Sequence, residues 1–310
     1  MSSFRSPAAQ AHWAAIKMGW HGHSRDETRY ERGTSSSQGT DNTRESALRQ
    51  LAKYLRETRQ GDLRSVKESQ VREYLEKRSV EVGQKQLDKD RQAAQAWLSH
   101  RSGMNVDISR KEFTSQKDES GNLANQSRIY TDEQLDRIQS RMTERNNLAV
   151  QICRETGTRA HELSTIARPD EQTPHERAWS TSIFSGKKED EVSYTVKGKG
   201  GLVREVRMSK ETSDRLESRR RDNPQTVKDR GINYQSRYNV GKGQALSQAF
   251  TRASQREVGW SAGLHGIRHV YAQDRLDKLQ ENGHEYKEAK TTVSQEVGHF
   301  RPQTTDAYLR

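Results

Sequence analysis

Arginine, histidine, lysine and tyrosine side chains gather in four short clusters in the second half of the chain, at spacings that could hold and attack an anionic group. Arg159 and Glu162 stand three apart, so on a helix the carboxylate can hold the guanidinium in place; taken alone, the pair also reads as an ordinary helix salt bridge. His265 and Arg268 share one helix face, and His269 follows directly. Two nearby histidines could bind a metal, but no carboxylate or cysteine stands beside them at ligand spacing. His299 follows Gly298, and Tyr308 lies nine positions further on, after Thr304 and Thr305. An isolated tyrosine there would be surface packing. Gly198-Lys199-Gly200 reads as a turn and lacks the Gly-x-x-x-x-Gly-Lys-Ser/Thr order of a phosphate-cradling loop.

Each cluster resembles a signature of one family, the tyrosine recombinases of the phage-integrase kind. Glu155-Thr-Gly-Thr-Arg159-Ala-His-Glu162-Leu163 resembles the first box, where a helix ends at Thr-Gly, an arginine opens the next helix and a Glu-Leu pair follows. His265-Gly-Ile-Arg268-His269 resembles the second, His-x-x-Arg-His, which begins a helix. Gly298-His299 with Tyr308 nine positions later, in a Thr-Thr-x-x-Tyr context, resembles the last. Gly198-Lys199-Gly200, followed by Arg204 and Val206, resembles a β-hairpin whose turn carries the catalytic lysine, which points to Lys199 with Lys197 as the runner-up. The resemblance covers about 132–310 with all four boxes in the family's order, and 42–105 more loosely.

The resemblance implies an enzyme that cleaves and rejoins DNA at an attachment site, serving a phage or other mobile element. Attack on a phosphodiester builds negative charge on the nonbridging oxygens, which two bidentate guanidiniums, Arg159 and Arg268, would stabilise. His265 and His299 would donate to the phosphate or help deprotonate the tyrosine, with Glu162 and His269 in support. The hairpin lysine would protonate the departing 5′ oxygen. Tyr308 would be the nucleophile, forming a 3′-phosphotyrosine that stores the bond energy for rejoining. Neither a metal ion nor a nucleotide cofactor is then required. The expected partners are a double-stranded attachment site, further copies of the chain in a homotetramer on synapsed DNA, and DNA-bending accessory proteins.

Composition agrees with a polyanion partner. Lys and Arg number 54 against 43 Asp and Glu, a net charge of +11, and the pI is near 9.7. Charge alone would also suit a basic soluble protein with no polyanion partner, or one that meets acidic membranes. Only 29% of residues are hydrophobic, which excludes one large buried sheet and favours small helical cores edged by the stems of charged side chains. Cys153 is the single cysteine, which excludes an intramolecular disulfide and any multi-cysteine zinc site and marks it as a core residue. No segment approaches a membrane span and the N-terminus lacks the apolar stretch of a signal peptide, so the expected location is the cytoplasm, with no membrane partner.

The elements that would position these residues read as a mainly α fold with a small antiparallel β-sheet, a helical core-binding domain joined to a catalytic domain. Residues 1–40 read as a flexible arm, with Trp13, Ile16 and Trp20 hinting at a short docking helix. A helical DNA-binding domain is expected over 41–114, with faces at Ala47, Leu51, Tyr54 and Leu55, at Val71, Tyr74 and Leu75, and at Ala93, Ala96, Trp97 and Leu98. Polar residues 115–130 read as a linker, and Thr131-Asp-Glu-Gln134 as a capping box opening the catalytic domain, 131–310. Val192, Tyr194 and Val196, then Val206 and Met208, alternate as strands around the 197–201 turn. Helices are expected around them at Asn147–Glu155, Ala160–Ile166, Ser247–Val258, Gly266–Leu279 and Tyr286–Val297. Together the two domains would clamp duplex DNA.

Two departures from the family pattern stand out. The stretches Arg159–Lys199 and Leu279–Val293 are longer than the family's usual connections. The chain also ends two residues after Tyr308, where many relatives continue into a helix that docks on a neighbouring protomer, so coupling through other surfaces such as the arm, or a different regulation, is expected. Two other functions fit part of the pattern: a DNA-relaxing topoisomerase with a similar residue set, and a DNA-binding regulator that has lost catalysis.

Overall fold

Small residues decide how the chain begins. Ser6 caps the first helix, α1 (Pro7–Lys17), by accepting the Ala9 N–H at 3.1 Å, and Pro7 fits the first turn because its missing N–H is needed by nothing there. Ala11, Ala14 and Ala15 form the buried face and let α1 lie close against α2 (Gln38–Glu57), while Ile16 is 54% exposed. The computed structural model describes residues 6–19, 38–117, 129–198, 201–230 and 232–309. Within 1–40, residues 7–17 therefore form the short helix at which Trp13 and Ile16 hinted, packed through its alanines, and Trp20 lies outside the described residues.

The chain divides into two compact units, 1–123 and 124–310. The first unit packs α1 and α2 with α3 (Glu68–Glu81) and α4 (Gln84–Ser102) around Leu48, Leu51, Leu55, Val71, Tyr74, Leu75, Leu87 and Trp97. Tyr54 and Ala96, placed by pattern on the core faces, are only half-buried. Trp97 fastens the unit: its indole N–H donates to the Leu63 carbonyl at 2.8 Å and its ring meets Trp13 edge-on, centroids 5.4 Å apart. The polar stretch after Phe113 starts tied to this unit, through Ser115 Oγ to the Val82 carbonyl and Gln116 N–H to the Ser79 carbonyl. Its residues 118–128 lie outside the described ones.

The second unit opens on the expected capping box. Thr131 Oγ1 accepts the Gln134 N–H and Gln134 Oε1 the Thr131 N–H, starting α5 (Asp132–Ser140). Then come α6 (Glu144–Thr156), the antiparallel pair β1 (Val192–Lys197) and β2 (Val203–Met208), and α7 (Lys210–Glu217). A second antiparallel pair follows, β3 (Arg220–Asp229) and β4 (Ile232–Tyr238), and after it α8 (Gly243–Val258), α9 (His265–Glu281) and α10 (Tyr286–Glu296). A 3₁₀ turn, Pro302–Ala307, leads to Tyr308. The core runs from Leu135 and Leu148 through Cys153, Val196 and Met208 to Phe250 and Ile267.

Two expectations need correction. The β3–β4 hairpin is a second strand pair where one small sheet was expected: β3 is mostly exposed and interrupted by Pro224 and an irregular register, while β4 buries Tyr234, Ser236 and Tyr238 in alternation, a period of two carried by tyrosines and a serine instead of aliphatic residues. The helix expected over Ala160–Ile166 is one 3₁₀ turn, Glu162–Thr165. The two long connections, odd on their own, meet each other. The Phe184 N–H donates to Glu296 Oε1 at 3.0 Å, Ser180 Oγ lies 2.8 Å from Thr292 Oγ1, and Ser185 Oγ lies 2.9 Å from His284 Nε2. The first connection thereby braces α10, the helix that delivers His299.

Candidate active site

Arg159 is placed by a helix stop. Gly157 ends α6 in the left-handed conformation (φ 61°), and a Cβ there would lie 2.4 Å from the Tyr271 ring, so only glycine turns the chain at this point. Arg159 follows in a loop, not on a helix. Its partner Glu162 holds it twice, Oε2 accepting the Arg159 backbone N–H at 2.9 Å and Oε1 accepting from Nη1 at 2.8 Å. The expected pairing exists, but as a closed loop instead of one helix face.

Glu162 is fully buried, and Arg204 on β2 donates Nη2 to its Oε2 at 2.8 Å. Burial pushes the Glu162 carboxyl up, yet Arg204, Arg268 and Arg159 together hold it well below the usual carboxylate range. Arg204 also donates Nε to the Glu296 carbonyl at 3.0 Å, so it ties the Glu162 loop to the end of α10. No site role was read for Arg204, although the sequence carries a signal: it stands in phase with Val206 and Met208, an arginine on the inward face of a strand.

Arg268 sits in the first turn of α9 at 1% exposure, donating Nη1 to the Gly157 carbonyl and Nη2 to the Val297 carbonyl. Burial, followed by neighbouring Arg159, pushes its guanidinium down to about 10, which leaves it charged at neutral pH. His299 leaves α10 past Gly298, its backbone N–H donating to the Ser294 carbonyl at 2.7 Å. Its Nε2 lies 3.0 Å from Arg159 Nη2 and 3.4 Å from the Tyr308 hydroxyl. Burial first, then Arg268, Arg159 and Arg204, press the imidazole down to about 4. At neutral pH it is uncharged, and because an arginine has no lone pair to offer, Nε2 is the accepting nitrogen.

Tyr308 ends the 3₁₀ turn, its N–H donating to the Thr305 carbonyl at 2.8 Å and its own carbonyl accepting from Gln273 on α9 at 2.9 Å. The ring is 6% exposed and stands among the other candidates: centroids are 5.0 Å from His269, 5.5 Å from His265 and 6.1 Å from His299, and the Arg268 guanidinium lies 5.3 Å over it. His265, exposed at the start of α9, lines a cavity of about 250 Å³ together with Arg159 and Arg268. Lys199 lies outside the described residues. Lys197 closes β1, its N–H donating to Thr165 Oγ1 at 2.9 Å. Thus Arg159, Glu162, His265, Arg268, His269, His299 and Tyr308, spread over 150 positions of sequence, come together in one place.

No family model matches the sequence, and neither does any curated protein. Solved structures do. The site-specific recombinase XerH bound to palindromic difH substrate, a post-cleavage complex, matches with a TM-score of 0.58 at 16% identity over 100% of this chain and 94% of that one. A lambda integrase(75–356) dimer bound to a COC′ core site gives 0.54 at 13% identity over 89% and 90%, and a lambda integrase tetramer bound to a Holliday junction gives 0.56 at 12% over 97% and 76%. The fold is that of the tyrosine recombinase catalytic domain. Among the described residues, no helix is long and apolar enough to cross a membrane.

Proposed function

We propose that the chain is a site-specific DNA recombinase that cuts and rejoins duplex DNA through a 3′-phosphotyrosyl bond to Tyr308, serving the integration or excision of a mobile element. The observation that carries this reading is the setting of Tyr308: its hydroxyl faces the accepting nitrogen of a neutral His299, and its ring rests against Arg268 and His265, which line a cationic cavity with Arg159. The fold neighbours, caught on DNA after cleavage and as a tetramer on a Holliday junction, support a double-stranded DNA partner and a homotetramer; the net charge of +11 supports the first.

In the proposed step the Tyr308 oxygen bonds to phosphorus while its proton passes to His299 Nε2. An imidazole held near 4 is a weak base, so transfer runs together with attack as negative charge moves onto the phosphoryl oxygens. Arg159 and Arg268 hold that charge, and Glu162 keeps Arg159 in place from behind. The bond to the 5′ oxygen breaks and Lys199, which lies between β1 and β2 in sequence, supplies its proton. Rejoining is the reverse, with a 5′ hydroxyl attacking the phosphotyrosine. Residues 41–114 serve as a core-binding domain in this reading, and the catalytic domain begins at 131.

The test uses full-length protein and duplexes it selects from a random-sequence pool, each nicked so that cleavage releases a short strand and traps the covalent state. The expected product is a denaturant-stable adduct at a DNA 3′ end. Binding with no adduct on any nicked duplex would instead identify a regulator, and relaxation of every supercoiled plasmid regardless of sequence would identify a topoisomerase.

A further inference from the structure

The first residue of a two-residue hairpin turn favours Asn, Asp or Gly, because that position needs positive φ. At the tip of β3–β4, between the paired Asp229 and Ile232, the first turn residue is Arg230, with φ of 50°. Backbone preference gives no reason for arginine there, and the left-handed conformation of a residue with a Cβ costs free energy. The position of the side chain supplies a reason: Arg230 lines the same cavity as Arg159, His265 and Arg268.

The tip is fastened in that place. Asp229 Oδ1 accepts the Gln244 N–H at 2.9 Å, and Gly243, at φ 58°, lies so close that a Cβ on it would stand 2.6 Å from the Asp229 carboxylate carbon. The Gly243 N–H donates to the Ala160 carbonyl at 2.8 Å. The first turn of α8 therefore links the hairpin tip directly to the loop that carries Arg159. The cavity lining holds three guanidiniums and the imidazoles of His161 and His265 against one carboxylate, Asp229, which is already engaged with α8. Arg268 lies at the buried end of this set and Arg230 at the exposed end, an arrangement suited to an anion that extends outward past a single phosphate.

We propose that Arg230 binds a backbone phosphate next to the one held by Arg159 and Arg268, so that the β3–β4 tip sets the register of the cleaved strand. This rests on the proposed recombinase reading. Arg230→Gly tests it, because the substitution removes the guanidinium while giving the turn a residue it favours. The expected signature is a pair of opposite changes. The thermal midpoint stays level or rises, while affinity for the selected duplex falls about tenfold, as for the loss of one charge-assisted contact, and the slope of log affinity against log salt falls by about 0.9. Scanning the duplex with single neutral methylphosphonates should reveal one position, beside the scissile phosphate, at which wild type and Arg230→Gly bind alike. Equal affinity of the two proteins on unmodified DNA, or a deficit that persists whichever phosphate is neutralised, would overturn the proposal. Wild-type adduct formation on the same duplex is scored separately: its absence counts against the recombinase reading, whereas the binding scan still reports on Arg230.

Discussion

The two units bury different things. The first hides mainly aliphatic and aromatic side chains, with Trp97, Tyr74 and a run of leucines at its centre and Asp41 and Asp90 as its buried carboxylates, while the second hides Arg204, Arg268, Glu162, Arg275, Glu296 and Lys242 beside its apolar core. Burying paired ions is at best neutral for stability compared with apolar residues of the same size. The second unit therefore carries an energetic load that its packing does not require, and the load concentrates where Tyr308 stands. Glu162 answers Arg159 and Arg204, and Glu296 answers Arg275 while its carbonyl takes the Arg204 Nε. A cluster of fixed positive charge is useful to an oxyanion and costly to a protein, and the two carboxylates make it tolerable.

The largest expected effect breaks that arrangement. Glu162→Gln leaves Arg204 and Arg159 without their carboxylate and should destabilise the protein by about 3–5 kcal/mol in urea unfolding at neutral pH. Because the folded pKa of Glu162 is depressed, its contribution is present above the unfolded carboxylate value and fades as pH falls through the lower folded value; the gap between wild type and variant should close only in strong acid. A gap that closes near pH 6 would contradict the buried ion cluster.

Next in size is Lys242, whose Nζ donates to Ser236 Oγ and, at 2.8 Å, to the Tyr238 carbonyl while burial presses its ammonium down to about 7. Between that value and the unfolded value near 10 the unfolded chain binds the extra proton, so stability rises with pH across the window. Lys242→Met should thus gain most over wild type below pH 7, by up to about 4 kcal/mol relative to its standing at pH 10. A constant difference across that range would show that Lys242 titrates normally. In the first unit the comparable test is steric. Ala14→Leu forces extra methylenes between α1 and α2 and should cost about 1–3 kcal/mol, with no dependence on pH.

The same contrast explains what the sequence discloses. Helices α2 to α4 follow apolar periodicity, and the boxes around Arg159, His265 and Tyr308 announce themselves by residue type and spacing. Pattern fails where the burial is polar or the residues small. Alanines at 11, 14 and 15 do not look like a docking face beside Trp13 and Ile16, yet close approach needs them. Strand β4 is held by tyrosine hydroxyls, Tyr238 donating to Glu217 Oε1 at 2.8 Å, which no hydrophobic count detects. The loop at Arg159 reads as a helix because Ala160–Ile166 has helical spacing; the Glu162 carboxylate instead captures the Arg159 N–H and closes a tighter turn.

The smallest expected effect is an absence of change. With its imidazole held near 4, His299 should keep the ring shifts of a neutral histidine from pH 8 down to 5 in a carbon-13 titration assigned by His299→Asn, while a histidine at the unperturbed value of about 6.5 would titrate fully in that range. A midpoint near 6.5 would contradict the depression of the His299 imidazole by burial and its arginine neighbours.

The central claim is that the Tyr308 oxygen becomes bonded to DNA. The direct measurement is mass spectrometry of the denaturant-stable adduct after protease and nuclease digestion, with wild type and Tyr308→Phe compared on the same nicked duplex. Loss of one hydroxyl should leave folding and DNA affinity within about 1 kcal/mol of wild type and abolish the adduct. The account predicts a nucleotide remnant on the peptide that contains Tyr308, and none in the variant. A remnant on any other residue, or an adduct that persists in Tyr308→Phe, would contradict it.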